Sequence, residues 1–319
     1  MDSGARRVEK LQVLYIAGAG RSGSTILHNI LGQVEGYCAV GEIRYIWERG
    51  LIKNRLCGCG VPFHDCQFWL AVMEEAFGSI DAVDAATLFA TTESFRTTHL
   101  PLTLLPGRAE SRLAALADHR RALENLYRAI QRVSGCRIII DLSKNPAYGY
   151  LLSTLPALDL SIVHCLRDPR AVAHSWGKPD MRFQPGDDNP DPIPPRSPLR
   201  SALHWLSWNV AADLFVKPRV AHVMTLKYET FVREPRQTIE RIVEMAGGAG
   251  GALPFADAQT AVLERPNHSV FGNPVRFRRG NVPIALDDAW HSRLGRWDKA
   301  QVTAYTAPAL WPYGYSLWP

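Results

Sequence analysis

The chain has 319 residues, 46% hydrophobic and 21% charged, which is enough apolar material for a large core and close to the upper size of one domain. A formal charge of +5, with no dense run of Lys and Arg, points to small anionic ligands and away from a nucleic-acid backbone. The first ten residues are polar and no apolar stretch approaches the roughly 20 residues that cross a bilayer, so the expectation is a cytoplasmic protein without a membrane span.

Four short apolar runs are read as strands of one parallel sheet, because three of them are near-continuously hydrophobic, as strands buried on both faces are. The first, QVLYIAG at 12–18, runs into the glycine-rich turn GAGRSGST and a helical pattern over 24–31. Residues 50–106 interrupt the rhythm with weak helical patterning and the cysteine-rich stretch RLCGCGVPFHDCQFW. A charged amphipathic helix is predicted over 111–133, followed by the strands CRIIIDLS at 136–143 and LSIVHCLR at 160–167. Residues 177–198, dense in proline, glycine and aspartate, are read as an ordered loop or lid. A helix over 197–216 and the strand AHVMTLKY at 221–228 complete the pattern. Strand alternating with helix predicts a P-loop-like, doubly wound α/β sandwich, a central parallel sheet flanked by helices. With no internal repeat and no hinge composition, residues 1–319 read as one domain carrying insertions at about 50–106 and 177–198, both over the carboxyl edge of the sheet.

A strand that runs into GAGRSGST and then a helix gathers backbone N–H groups and the positive end of a helix dipole around one small volume. Such a volume binds anions. Counted from Gly18 against the pattern G-x-x-x-x-G-K-[ST], Gly23 is in place, but Ser24 stands where the phosphate-binding lysine belongs and Thr25 where the magnesium-binding hydroxyl belongs. The loop offers the hydroxyls of Ser22, Ser24 and Thr25 and one cation, Arg21. It therefore suits a phosphate or sulfate ester that is not a magnesium-bound triphosphate. In CLRDPRAVAHSW, Arg167 ends a strand and Ser175 lies eight residues on, about two helical turns, so the two share a face and are placed to grip one phosphate.

RSGST after the first strand, RDPRAVAHS after a later one, KYETFVREPRQTIERI at 227–242 and FRRG at 277–280 occur in this order in the sulfotransferase family, which the chain resembles over most of its length outside the insertions. The resemblance implies an enzyme that moves the sulfuryl group of 3′-phosphoadenosine 5′-phosphosulfate (PAPS) to a hydroxyl of a small-molecule, carbohydrate or natural-product acceptor. It also explains the altered loop: the donor carries a single sulfated 5′-phosphate, so neither the lysine nor a metal is required. Carried over residue by residue, the resemblance implies that Arg21, Ser22, Gly23, Ser24 and Thr25 cradle the 5′-phosphosulfate. It implies that Arg167 and Ser175, together with Arg278 and Arg279 ahead of Gly280, hold the 3′-phosphate, and that Tyr228 lies near the nucleotide. NHSVFGNPVR, ending at Arg276, resembles the loop that closes on the donor in tyrosylprotein and carbohydrate sulfotransferases, the relatives nearest in motif style.

Sulfuryl transfer to a hydroxyl needs a proton acceptor, positive charge on the sulfuryl oxygens and a donor to the departing oxygen. TTHLP at 97–101 is similar to the K-T-H-L-P motif of cytosolic phenol and steroid sulfotransferases, which would make His99 the base. Order and context go against it. In those relatives the motif's lysine follows a core strand shortly before the 3′-phosphate arginine, a place held here by DLSKNP, with Lys144 after the strand and Pro146 in the position of the histidine. Glu42 in VGEIRYI resembles the glutamate of the G-E-x-R segment of tyrosylprotein sulfotransferases, where it is the proposed base, and Arg44 matches that segment's arginine. Glu42 is therefore the expected base. Lys144, assisted by Arg21, is expected to stabilise the sulfuryl group and its bridging oxygen, much as cations act in phosphoryl transfer.

CGCGVPFHDC offers Cys57, Cys59, His64 and Cys66 as four conceivable zinc ligands. The C-x-C start is tighter than the usual C-x-x-C and no second pair follows, which favours a Cys59–Cys66 disulfide or buried thiols over a metal. Similar cysteine-rich segments occur in bacterial members of the family, which implies that this piece shapes the acceptor pocket. Tryptophans near the proline-rich loop are candidates to line a flat or sugar-like acceptor. Two other readings are an ATP-dependent kinase of the P-loop type, for which Asp141 at a strand end hints at a magnesium ligand, and a non-catalytic nucleotide-binding module. The missing lysine counts against the first, the co-occurrence of Glu42 and Lys144 against the second.

Overall fold

The computed structural model describes residues 10–178, 194–248 and 251–318. Strands β1 (Leu11–Ala17), β2 (Tyr37–Gly41), β3 (Ile138–Lys144), β4 (Leu158–Leu166) and β5 (His222–Lys227) form one parallel sheet in the order β2-β3-β1-β4-β5. Parallel neighbours require crossover connections, and helices supply them. Successive β1 residues face opposite cores: Val13, Tyr15 and Ala17 join one apolar cluster, Leu14 and Ile16 the other. The sheet is thus covered on both faces, which accounts for the continuous apolar runs and bears out the expected α/β class.

All four expected strands form, each within two residues of its predicted span. β2 was not anticipated. Its five residues, YCAVG, are too short and too rich in small side chains to stand out. The helix expected over 111–133 is two helices, Arg108–Ala115 and Ala117–Ser134, meeting at Leu116 (φ −103°, ψ 13°). The helix over 197–216 starts at Ser197, whose side chain accepts from Arg200 N, and loosens into a π-helical turn at Ala212–Val216. Within the first insertion, helix Gln67–Phe77 packs against Ala117–Ser134. Most of the second insertion, 179–193, lies outside the described residues. An antiparallel ribbon, β6 (Thr260–Leu263) with β7 (Gly280–Pro283), follows. Among the described residues no helix is long and apolar enough to cross a membrane.

In open α/β sheets, ligands bind outside the carboxyl ends of the strands where the order reverses. Here the chain departs from central β1 to one side for β2 and to the other for β4 and β5. Each of the five carboxyl ends carries or adjoins a residue singled out in the sequence: Arg21 beyond β1, Glu42 after β2, Lys144 closing β3, Arg167 after β4 and Tyr228 after β5.

Candidate active site

The loop after β1 is built from left-handed residues, Gly18 (φ 115°), Arg21 (φ 72°) and Gly23 (φ 74°), ahead of helix Ser24–Leu31. Alternating handedness of this kind turns successive N–H groups toward one concavity. At two positions only glycine fits: a Cβ on Gly18 would lie 2.3 Å from the Cys165 carbonyl oxygen on β4, and one on Gly23 would lie 2.6 Å from the Tyr228 ring. Asn209 holds the loop from behind by accepting from Ala19 N (3.2 Å), and Ser22 Oγ donates to Ala19 O (2.9 Å). Ser22 and Ser24 are buried, Thr25 half-buried.

Glu42 follows β2 directly and is only 6% exposed. Lys144 Nζ donates to Glu42 Oε1 at 2.6 Å and to Leu142 O at 2.9 Å. Gly41 N donates to His28 Nε2 (2.9 Å), which anchors the start of this turn to the first helix. Burial pulls the His28 imidazole down to about 4, so the ring is the neutral acceptor that this bond requires. Gly272 of the 267–276 loop covers Glu42 so closely that a Cβ there would lie 3.0 Å from Oε1.

Arg21 and Lys144 are two of the three non-glycine residues with positive φ among the described residues. Such a conformation costs on the order of 1–3 kcal/mol and concentrates at functional sites. The Arg21 guanidinium lies over Trp176 (4.2 Å to the ring centre), and Arg196 lies over the same ring (3.9 Å). Burial lowers Arg21 to about 10, with the Glu42 charge pushing it back up and Arg196 pushing it further down. The three charges therefore sense one another. Arg196 was missed in the sequence, where it sat unmarked in the proline-rich stretch.

On the β4 side, Arg167 donates from Nη1 to Arg21 O (3.2 Å) and from Nη2 to Asp287 O (2.7 Å), pairs with Asp287 Oδ2 (3.3 Å), and stacks over Tyr228 (4.3 Å). Tyr228 OH donates to Ala285 O (3.3 Å) and accepts from Asp287 N (3.1 Å). Burial raises the Asp287 carboxyl, but Arg167 and Lys178 outweigh it and hold the group below the usual range. Ser175, half-buried, lies on helix Pro169–Gly177, which Asp168 caps by accepting from Arg170 N. Among the described residues, the buried donors here without a hydrogen-bond partner include Arg21 Nε, Arg167 Nε and Trp176 Nε1.

Residues 14–249 match the sulfotransferase family model. The chain belongs to the sulfotransferase family. It is thus an enzyme of sulfuryl transfer. Solved structures similar to this sulfotransferase include the sulfotransferase domain of the Synechococcus PCC 7002 olefin synthase, at 20% identity over 94% of this chain and 96% of that one, TM-score 0.49. The sulfotransferase domain from the curacin biosynthetic pathway is similar at 15% identity over 97% and 99%, TM-score 0.48. No curated protein matches the sequence.

The other residues singled out in the sulfotransferase sequence have bonds of their own. Arg276 is buried, donating from Nη1 to Ser269 O and from Nη2 to Leu56 O (2.9 Å), and Arg279 Nη2 donates to Gly58 O (2.6 Å). Arg279, expected at the 3′-phosphate, and Arg276, expected in the donor loop, are both bonded to the cysteine segment. Arg278 is exposed, and Gly280 (φ 73°) opens β7. His99 accepts from Arg96 N (3.3 Å) at the start of a 3₁₀ turn, Thr97–Leu104. Pro146 begins helix Pro146–Ser153, which Asn145 caps. Arg44 pairs with Glu93 (2.6 Å). Asp141, the hint of a kinase, is fully buried, accepting from Tyr127 OH, Ser143 N (2.7 Å) and Ser143 Oγ (2.5 Å), and burial raises it to about 6. A carboxyl sealed in this way has no path to a metal-bound nucleotide.

Proposed function

We propose that this sulfotransferase takes PAPS as donor and sulfates a hydroxyl of a small-molecule, carbohydrate or natural-product acceptor, using Glu42 as base. The observation that carries the reading is the buried Lys144–Glu42 pair at 2.6 Å, at adjoining strand ends beside Arg21. A buried ion pair adds little stability over apolar packing, and two strained cations subtract from it, so this concentration of charge is better explained by chemistry. The unpartnered nitrogens of Arg21, Arg167 and Trp176 support an anionic ligand across the strand ends.

The donor supplies an activated sulfuryl group on a single 5′-phosphate. The loop N–H groups, Ser22, Ser24 and Thr25 would bind and orient that phosphosulfate, while Arg167, Ser175 and Arg278 would bind the 3′-phosphate and Tyr228 would pack against the nucleotide. Glu42 would remove the acceptor's proton as its oxygen attacks sulfur and the sulfur–bridging-oxygen bond breaks. Lys144 and Arg21 would offset the charge developing on the sulfuryl and bridging oxygens. Gly272, packed on Glu42, excludes side-chain bulk from the covering loop. The chain would act as one domain, in the cytoplasm, a compartment consistent with six free cysteines.

The test incubates the purified chain and a panel of hydroxyl acceptors with sulfate-labelled PAPS in the absence of magnesium, and in parallel with γ-phosphate-labelled ATP and magnesium. Sulfate label should reach an acceptor and phosphate label should not. Phosphate transfer alone would establish a kinase, and donor binding without transfer across the panel would establish a binding module.

A further inference from the structure

The fold brings together four side chains with no role in the reaction above. Cys57, Cys59 and Cys66 of the first insertion meet His268, and one ligand atom from each lies within 4.8 Å of all the others. Cys59 Sγ is 3.6 Å and Cys57 Sγ 3.7 Å from Cys66 Sγ. His268 Nδ1 is 3.7 Å from Cys57 Sγ and 3.6 Å from Cys66 Sγ. A tetrahedral ion with Zn–S of about 2.3 Å and Zn–N of about 2.0–2.1 Å has S···S edges of about 3.8 Å and S···N edges of about 3.6 Å. These four spacings match those edges, and the other two atom pairs lie within 4.8 Å. A disulfide would join two sulfurs and leave the third thiol and the imidazole unexplained.

We propose that Cys57, Cys59, Cys66 and His268 bind one zinc ion, and that the ion is a structural clasp joining the first insertion to the loop over Glu42. Four protein ligands close a tetrahedral site, leaving no position for substrate. His64, the ligand suggested by its place in the cysteine segment, is turned away, with its Nε2 3.0 Å from Leu51 O.

The surroundings are those of a metal site. Cys57 is 0% and Cys66 1% exposed. His268 is fixed from three sides: its N–H donates to Ala39 O (3.0 Å), its carbonyl accepts from Trp69 Nε1 (2.9 Å), and its ring stacks on Phe68 at 4.1 Å. These contacts fix the backbone and the ring plane of His268. Gly58 N donates to Ser269 O (2.8 Å), and a Cβ on Gly58 would lie 2.0 Å from Asn267 Oδ1, so the two segments meet only through glycine. Three thiolates and a neutral imidazole around a divalent ion leave a net negative charge. Arg276 and Arg279, bonded to the carbonyls of Leu56 and Gly58, set positive charge beside it.

The clasp bears on the active site through a few residues of chain. Next to ligand His268, Ser269 packs on Gly41, where a Cβ would lie 2.2 Å from Ser269 Oγ, and Gly272 packs on Glu42. The metal would thus hold in place the loop that covers the proposed base. The metal assignment itself does not depend on the donor reading.

The experiment is elemental analysis of the full chain, expressed with zinc supplementation and purified without chelator. About one zinc per chain is expected. Cys59→Ser and His268→Ala should each lower retention against a competing chelator at least about tenfold, while His64→Ala and Cys136→Ser retain it. Should the ligand variants fail to fold, the wild-type protein still decides. Zinc should protect three thiols from a thiol reagent and expose them when a mercurial displaces the metal, and cobalt in its place should show the intense visible bands of tetrahedral thiolate coordination. Zinc-free protein with three reactive thiols that takes up neither metal, a Cys59–Cys66 disulfide, or iron in place of zinc would overturn the proposal. Loss of sulfate transfer with zinc still bound would count against the PAPS reading and leave the site intact.

Discussion

The two ends of the candidate active site hold their charges in opposite ways. At the β1–β3 end, Lys144 and Glu42 bond one another, and Lys144 and Arg21 both sit in left-handed backbone. At the β4–β5 end, the two Nη atoms of Arg167 bond carbonyls of Arg21 and Asp287, and the guanidinium rests on Tyr228. On the proposed reading, the first end stores charge and strain where bonds would change, and the second would be a grip assembled in advance. Changes at the first should therefore lower the turnover number, and changes at the second should weaken binding.

The largest effect is expected from Glu42→Gln, which keeps the side chain's shape. It should lower kcat by about 10²- to 10⁴-fold, the usual range for a lost general base, and leave affinity for the nucleotide product nearly unchanged. His99→Ala, in its 3₁₀ turn, should stay near wild type. A Glu42→Gln enzyme that loses affinity instead would erase the contrast between the two ends. Arg167→Ala should weaken binding of 3′-phosphoadenosine 5′-phosphate by roughly ten- to a hundredfold, the worth of a paired charge-assisted contact, whereas the exposed Arg121→Ala should not. Calorimetry giving equal affinities for these two variants would remove Arg167 from the grip.

A smaller effect follows from His28, which steadies the turn before Glu42. Between about 4 and 6.5 the unfolded chain binds a proton that the folded imidazole refuses. Its contribution is therefore complete above pH 6.5 and is lost as pH falls toward 4. Urea unfolding at pH 7.5 and pH 5 should show a loss of about 2 kcal/mol attributable to this group. Asp141, raised to about 6, works in the opposite direction over this range, so the difference between wild type and His28→Gln isolates the histidine. Identical pH dependence in both proteins would refute the assignment.

The same contrast decides what was legible in the sequence. A parallel sheet sends every carboxyl end to one edge, so the strand-and-turn pattern marked Arg21 and Arg167, while the family resemblance was needed to mark Glu42, Lys144 and Tyr228 at the same edge. Residues that reach the site from other directions carried no such mark. Arg196 arrives from the proline-rich stretch, Asp287 from beyond the antiparallel ribbon, and His28 hides inside a short helix whose spacing shows only a packed face. β2 is too short and small-residued to register as a strand. In the cysteine cluster three thiols stood in plain view, but the fourth group, His268, lies 202 residues from Cys66, while the nearer His64 faces the Leu51 carbonyl. Local spacing cannot encode a partner that only the folded loop delivers.

The central claim is that Glu42 takes the proton of the attacking hydroxyl, and the most direct test is the rate deficit of Glu42→Gln across acceptor hydroxyls of increasing acidity. A base matters most where the hydroxyl is least ionised, so the deficit should be greatest with alkyl alcohols and shrink steadily toward acidic phenols. A deficit of the same size for every acceptor, or near-normal rates for Glu42→Gln on an alkyl alcohol while a folded His99→Ala enzyme is inactive, would contradict it.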